Sequence, residues 1–163
     1  MSLDAFSSLY RQWVADQGNL DITYAAVTCS EPGYNMNVAG FNPGGTGVFS
    51  EAGVYPEETY PYLRPTTARE LNGGEALADI WEQHFTSMLQ YMSDRPQFLT
   101  AMADVNGISQ EYYEELASYV KDHGIQVFGV MIQGNVSQVI SFAEQEKVDG
   151  VYVEDAKLSA LSR

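Results

Sequence analysis

The chain has 163 residues, with 8 basic against 22 acidic side chains and a formal net charge of −14. That length is enough for one domain with a sizeable core, and the charge opposes binding to nucleic acid or an anionic lipid surface, where cations must displace counterions. One cysteine, Cys29, leaves no disulfide to form within the chain, and no apolar run reaches the ~20 residues of a membrane helix.

Met1-Ser2-Leu3 reads as an expression scar, with one domain over 4–163. Phe6, Leu9, Tyr10, Trp13 and Val14 recur at helical spacing between Asp4 and Gly18, so the spacing predicts an amphipathic helix. Ile22 to Cys29 is rich in β-branched and aromatic residues and is bounded by Gly18-Asn19 and Pro32-Gly33, which predicts a strand with Cys29 as a buried thiol.

A long loop region follows over 32–73. From Pro32 to Ser50 there is no charged residue, and Asn42-Pro43-Gly44-Gly45 is a turn signal that Val38 to Phe41 and Gly47 to Ser50 could flank as a hairpin. Uncharged glycine-rich backbone lets a ligand approach, although an ordered surface loop has the same composition. It is no phosphate loop, because no Lys or Arg occurs between Arg11 and Arg64. The stretch from Tyr55 to Pro65 then holds three tyrosines on proline-stiffened chain and ends at Arg64, a cation able to pair with an anionic group. Phe41, Asn42, Tyr55, Tyr60, Tyr62 and Arg64 are therefore the candidate ligand- or partner-binding residues; alternatively, the three tyrosine rings cover the sheet edge or core.

Leu77, Ile80, Trp81, His84, Phe85, Met88, Leu89 and Met92 form the apolar stripe of the longest predicted helix. Asp94 is expected to cap a second helix with Phe98, Leu99, Met102 and Ala103 inward, and Ser109 a third with Tyr113, Leu116, Ala117 and Val120 inward. His84 reads as a hydrogen-bonded core histidine, and His123, just before Gly124, as a helix C-terminal imidazole favoured by the dipole.

Ile125 to Gln133 is almost wholly apolar and closed by glycines, the pattern of a buried central strand. Simple alternation puts Gln126, Phe128, Val130 and Ile132 on one face and Ile125, Val127 and Met131 on the other; helices on one side leave a face to be covered by the loop from Pro32 to Pro65 or by a second copy, and weak self-association as a homodimer is expected. Val136, Val139, Ile140 and Ala143 predict a helix capped by Asn135, with Gln138 as the return half of a capping box. Gly150 to Val153 completes a βαβ unit. The expected fold class is α/β (α+β): a two-layer sandwich with a small mixed sheet, a C-terminal βαβ unit and helices mainly on one face. No catalytic motif, metal-spaced His/Cys set or dinucleotide fingerprint is present, so no enzyme, metal or cofactor is expected; a hydrolase using scattered carboxylates is the rival class.

The run from Tyr119 to Asn135, continuing through Val148-Asp-Gly-Val-Tyr-Val-Glu-Asp155, resembles the C-terminal domain of bacterial sigma factor regulators. That family has the same order of helix, glycine turn, apolar strand, helix and short strand ending near an acid. The tract Tyr60-Pro-Tyr-Leu-Arg-Pro65 and the upstream Gly-Phe-Asn-Pro extend the likeness, although a strand before the first helix has no counterpart ahead of Asp4. The resemblance implies the extracytoplasmic domain of a single-pass, membrane-anchored anti-sigma factor. Its sigma factor would be held by a cytoplasmic part outside this chain, and its own ligand or protein partner is unnamed. The competing reading is a soluble intracellular structural domain.

Overall fold

The computed structural model describes residues 1–15, 20–30, 39–44, 56, 58–63, 76–106, 109–154 and 156. Helix α1 (Leu3–Tyr10) starts where the Ser2 hydroxyl accepts from the Ala5 amide, and it widens into a π-helical turn over Arg11–Ala15. Phe6, Leu9, Tyr10 and Trp13 are buried, as the periodicity predicts, and so is Leu3. Met1 and Val127 exchange backbone hydrogen bonds at 2.9 and 2.8 Å, so the residues expected to lie outside the domain take part in the fold.

Among the described residues three strands make the sheet: β1 (Leu20–Val27), β2 (Ala39–Phe41) and β3 (Val127–Gly134), in the order β2-β1-β3. Both pairings are antiparallel. Helix α2 (Leu77–Ser93), α3 (Pro96–Asn106), α4 (Gln110–His123) and α5 (Val136–Gln145) complete the elements. Buried residues of α1, α2, α4 and α5 share one cluster with Leu20, Ile22, Ala25, Val27 and Val127 of the sheet, the arrangement of an α+β fold. Leu99 alone anchors α3 among its described apolar positions, because Phe98 is exposed.

The mixed sheet and its βαβ unit are corrected. Gly150 to Val153 forms no strand, and Val151, Tyr152 and Val153 are exposed. The central strand is β1, not β3, and β2 pairs with β1; the expected hairpin partner at 47–50 lies outside the described residues. β3 instead pairs antiparallel with β1, a long-range contact between strands far apart in the sequence.

Bulges explain a second difference. The ladder passes from Ala26↔Gly129 to Val27↔Val127, skipping Phe128, and from Ile22↔Ile132 to Tyr24↔Met131, skipping Thr23. Each extra residue shifts the alternation of its own strand, and in β3 the one at Phe128 puts Val127 with Val130 and Ile132 on the core side while Phe128 and Met131 are exposed. In α5 the apolar face is also rotated from expectation: Phe142 is buried at 5.2 Å from the Trp13 ring, while Val136 and Ile140 face solvent. The Trp13 indole donates to Glu146 Oε1 at 2.6 Å and fixes that rotation. Asn135 caps α5 through the Ser137 amide, but Gln138 Oε1 is buried without a partner, so the capping box is not closed.

Gly40 is held to glycine by contact rather than by dihedral. A Cβ there would stand 2.6 Å from the Tyr24 ring and overlap the Ala25 carbonyl. Gly40→Ala is expected to cost about 1–3 kcal/mol, the range for overpacking, read as a lower urea midpoint at unchanged slope.

Candidate interaction surface

The described part of the long loop region is seated on α2. After Gly40, Asn42 Oδ1 accepts from the Gly44 amide at 2.9 Å and closes an Asx turn, which aims the Pro43 carbonyl at the Trp81 indole, 3.2 Å away. Pro43 is fully buried. Phe41 is buried too, among Phe6, Trp81, His84 and Phe85, with ring centroids 5.8 to 6.3 Å away. That placement makes Phe41 a core residue, not the contact residue expected of it, because a buried ring has no face to offer a partner.

The second segment starts with Thr59 and Tyr60 amides donating to the Pro56 carbonyl. Three anchors then tie it to α2: Tyr60 Oη donates to Asp94 Oδ2 at 2.7 Å, Ser87 Oγ donates to the Pro61 carbonyl at 2.6 Å, and His84 Nδ1 lies 2.8 Å from the Tyr62 carbonyl. Since a carbonyl only accepts, Nδ1 carries the proton and fixes the His84 tautomer. Asp94, expected to cap α3, ends α2 and gives its carboxylate to Tyr60 and Gln90. The Tyr60 ring meets the edge of Tyr91 at 5.3 Å, and the Arg95 guanidinium lies over Tyr91 at 3.3 Å and donates to its carbonyl.

Tyr60 is therefore largely buried, whereas Tyr62 is half-buried with a positive φ of 55°. A bulky residue in the left-handed region costs on the order of 1–2 kcal/mol, so the His84 bond holds a strained backbone in place. Beside it, Thr59, Pro61, Glu82, Gln83, Thr86, Ser87 and Gln90 line an open groove of about 410 Å³. Tyr55 and Arg64 lie outside the described residues. The structure thus joins Phe41 to Tyr62 through His84 and places Tyr60 at the far end of α2. Asp94 and Arg95, which complete the Tyr60 latch, were not foreseen; the adjacent acid and base at the end of a long amphipathic helix were the available signal.

Electrostatics fit a structural latch. The hydrogen bond to Asp94 raises the Tyr60 pKa, and the same bond, then Gln90, lowers that of Asp94. Burial depresses the His84 pKa against the opposing pull of the Tyr62 and Leu63 carbonyls. Cys29 is half-buried rather than buried, and desolvation still pushes its thiol up to about 12, which leaves it protonated and unreactive near neutrality. Among the described residues, no group of three His, Cys, Asp or Glu side chains could hold a metal ion.

The sigma factor regulator C-terminal family model matches residues 20–155. The chain belongs to that family. Searches of curated proteins and of solved structures each returned no match. The match runs from β1 through the exposed tail after α5 and includes the whole α2 platform, so this is a regulatory domain related to anti-sigma factors. Among the described residues no helix is long and apolar enough to cross a membrane.

His84 gives the domain an acid sensitivity with a defined sign. Its folded pKa lies below the ordinary 6.5, so the unfolded chain takes up the proton first and stability is lost as pH falls through 6.5 toward the folded value. The slope contributed by this group is at most about 1.4 kcal/mol per pH unit. Urea midpoints measured across that window should fall in the parent and flatten in His84→Gln; Asp94 adds its own loss only below 3.8.

Proposed function

We propose that this is a non-catalytic, extracytoplasmic sensing or interaction domain of a membrane-anchored anti-sigma factor that governs an extracytoplasmic-function sigma factor. The family match carries the regulatory role. The sigma factor is engaged by another part of the full protein, and this domain takes a ligand or partner and associates weakly with itself. Its recognition surface is the segment 59–64 with the adjoining groove on α2. Asn42 shapes the neighbouring turn, Tyr60 locks the segment down, and Thr59, Pro61 and Tyr62 form the described contact side, with Tyr55 and Arg64, which lie outside the described residues, kept as candidates from the sequence.

What supports this location is the strained Tyr62. A positive φ at a tyrosine persists only where its surroundings impose it, and here His84 and Ser87 hold both adjacent carbonyls. A segment fixed in advance loses less entropy on binding. Glu82 at the groove and Arg64 at the segment's end would supply opposite charges to a ligand of mixed polarity.

Two measurements test the reading. A reporter that is active only outside the membrane, fused after this domain in the full-length protein, is expected to be active; an inactive fusion removes the extracytoplasmic assignment. Tyr62→Gly relieves the strain, so it should leave stability within about 1 kcal/mol of the parent while impairing sigma-dependent transcription in response to the signal. An unaltered response would move the recognition surface elsewhere.

A further inference from the structure

The edge of β3 is the largest unexplained feature. Among the described residues β3 is paired on one side by β1, and on the other only its start is met, by the bridge of Ser2 to Gln126 and the Met1 bonds to Val127. From Phe128 to Gly134 the outer edge has no described strand partner. Phe128 is 52% and Met131 47% exposed, and Val136 and Ile140 of α5, which packs against β3, are exposed as well. Natural edge strands are blunted by lysine, proline or inward charge, because a bare row of N–H and C=O groups is a template for pairing. This one has none of these: no charged residue and no proline occurs between Gly124 and Ala143.

We propose that β3 pairs antiparallel with β3 of a second copy about a two-fold axis, joining two three-stranded sheets into one of six strands. The occupant follows from charge. Two chains of net −14 repel over most of their surfaces, so close approach is favoured where charge is absent, and the 124–143 stretch, which carries the open strand edge, supplies such a place on both copies. A two-fold interface matches a patch with itself, which an antiparallel strand satisfies without any new surface. The register also follows. Pairing the whole open stretch 128–134 with itself sets Met131 opposite its own counterpart and Phe128 opposite Gly134, so that the most crowded side chain meets the smallest residue. The bulge at Phe128 and the Met1 bridge end the available edge, which limits pairing to about seven residues a side and makes the dimer weak and reversible.

This pairing rests on the self-association proposed above and adds its geometry. Sedimentation of the intact chain is expected to show a dimer fraction that rises with concentration. Met131→Lys, at a solvent-facing position, should leave thermal unfolding unchanged at low concentration. It should weaken dimerisation about tenfold or more, because like charges then face each other across the axis. An equimolar mixture of Met131→Lys and Met131→Glu should restore the dimer as a mixed species, which an incidental loss of folding would not do. A parent that stays monomeric near millimolar concentration overturns both self-association and the β3 interface. A parent dimer untouched by Met131→Lys overturns the β3 interface alone; its loss on changing Tyr152→Asp instead would assign the contact to the exposed tail.

Discussion

The aromatic cluster around Trp81 is the constraint on which the fold depends. Its ring lies 5.1 Å from Phe6, 5.3 Å from Tyr10 and 5.8 Å from Phe41, so one side chain of α2 ties together α1 and the short strand β2. Such ring pairs add about 0.5–1.5 kcal/mol each beyond area burial, and the indole N–H is satisfied by the Pro43 carbonyl rather than left orphaned. A sheet of three strands has little area of its own, so without this joint β2 would be a three-residue strand with nothing beneath it. The joint also brings the loop region onto α2, because Pro43 and Phe41 are its immediate chain neighbours.

From that joint the molecule divides into a fixed side and an open side. On the fixed side, Tyr60, Asp94, Tyr91 and Arg95 clamp one end of the loop segment while His84 and Ser87 hold its carbonyls. The bonds of Asp94, His84 and Ser87 reach the segment from α2 and its C-terminal end, so α2 adds to the segment's own turn bonds in setting its shape. On the open side, β3 has a ladder to β1 but no described strand along most of its outer edge, and α5 turns only Phe142 firmly inward. The two sides present different kinds of surface: an open groove beside the segment that holds Tyr62, and an uncharged strand edge at Met131.

The absence of charge along β3 has a further physical effect in so acidic a chain. Like charge over the rest of the surface opposes the approach of two copies wherever acidic side chains meet. Specificity for one mode of association can therefore arise from repulsion elsewhere as much as from attraction at the edge.

The sequence by itself determined the helices, their order and most of their buried faces. Phe6, Trp13, Ile80, Trp81, Phe85, Leu116 and Val120 were legible because a 3.6-residue repeat summed over several turns is a strong local signal, and the caps at Ser109 and Asn135 are side chains bonding their own neighbours. The family was legible in the glycine turn and apolar strand after Tyr119. What only the tertiary structure decided is who pairs with whom. Ladder partners are chosen by long-range fit, so β1 displaced β3 from the centre and the tail 150–153 formed no strand. Bulges at Thr23 and Phe128 then reversed the alternation, an outcome no periodicity can encode because it depends on the strand opposite. The candidate site divides the same way. The composition of residues 41–64 marked the right region, yet whether a ring there is core, as Phe41 is, or latch, as Tyr60 is, depends on α2 residues far along the chain. Burial is a property of the assembled neighbours and not of the residue.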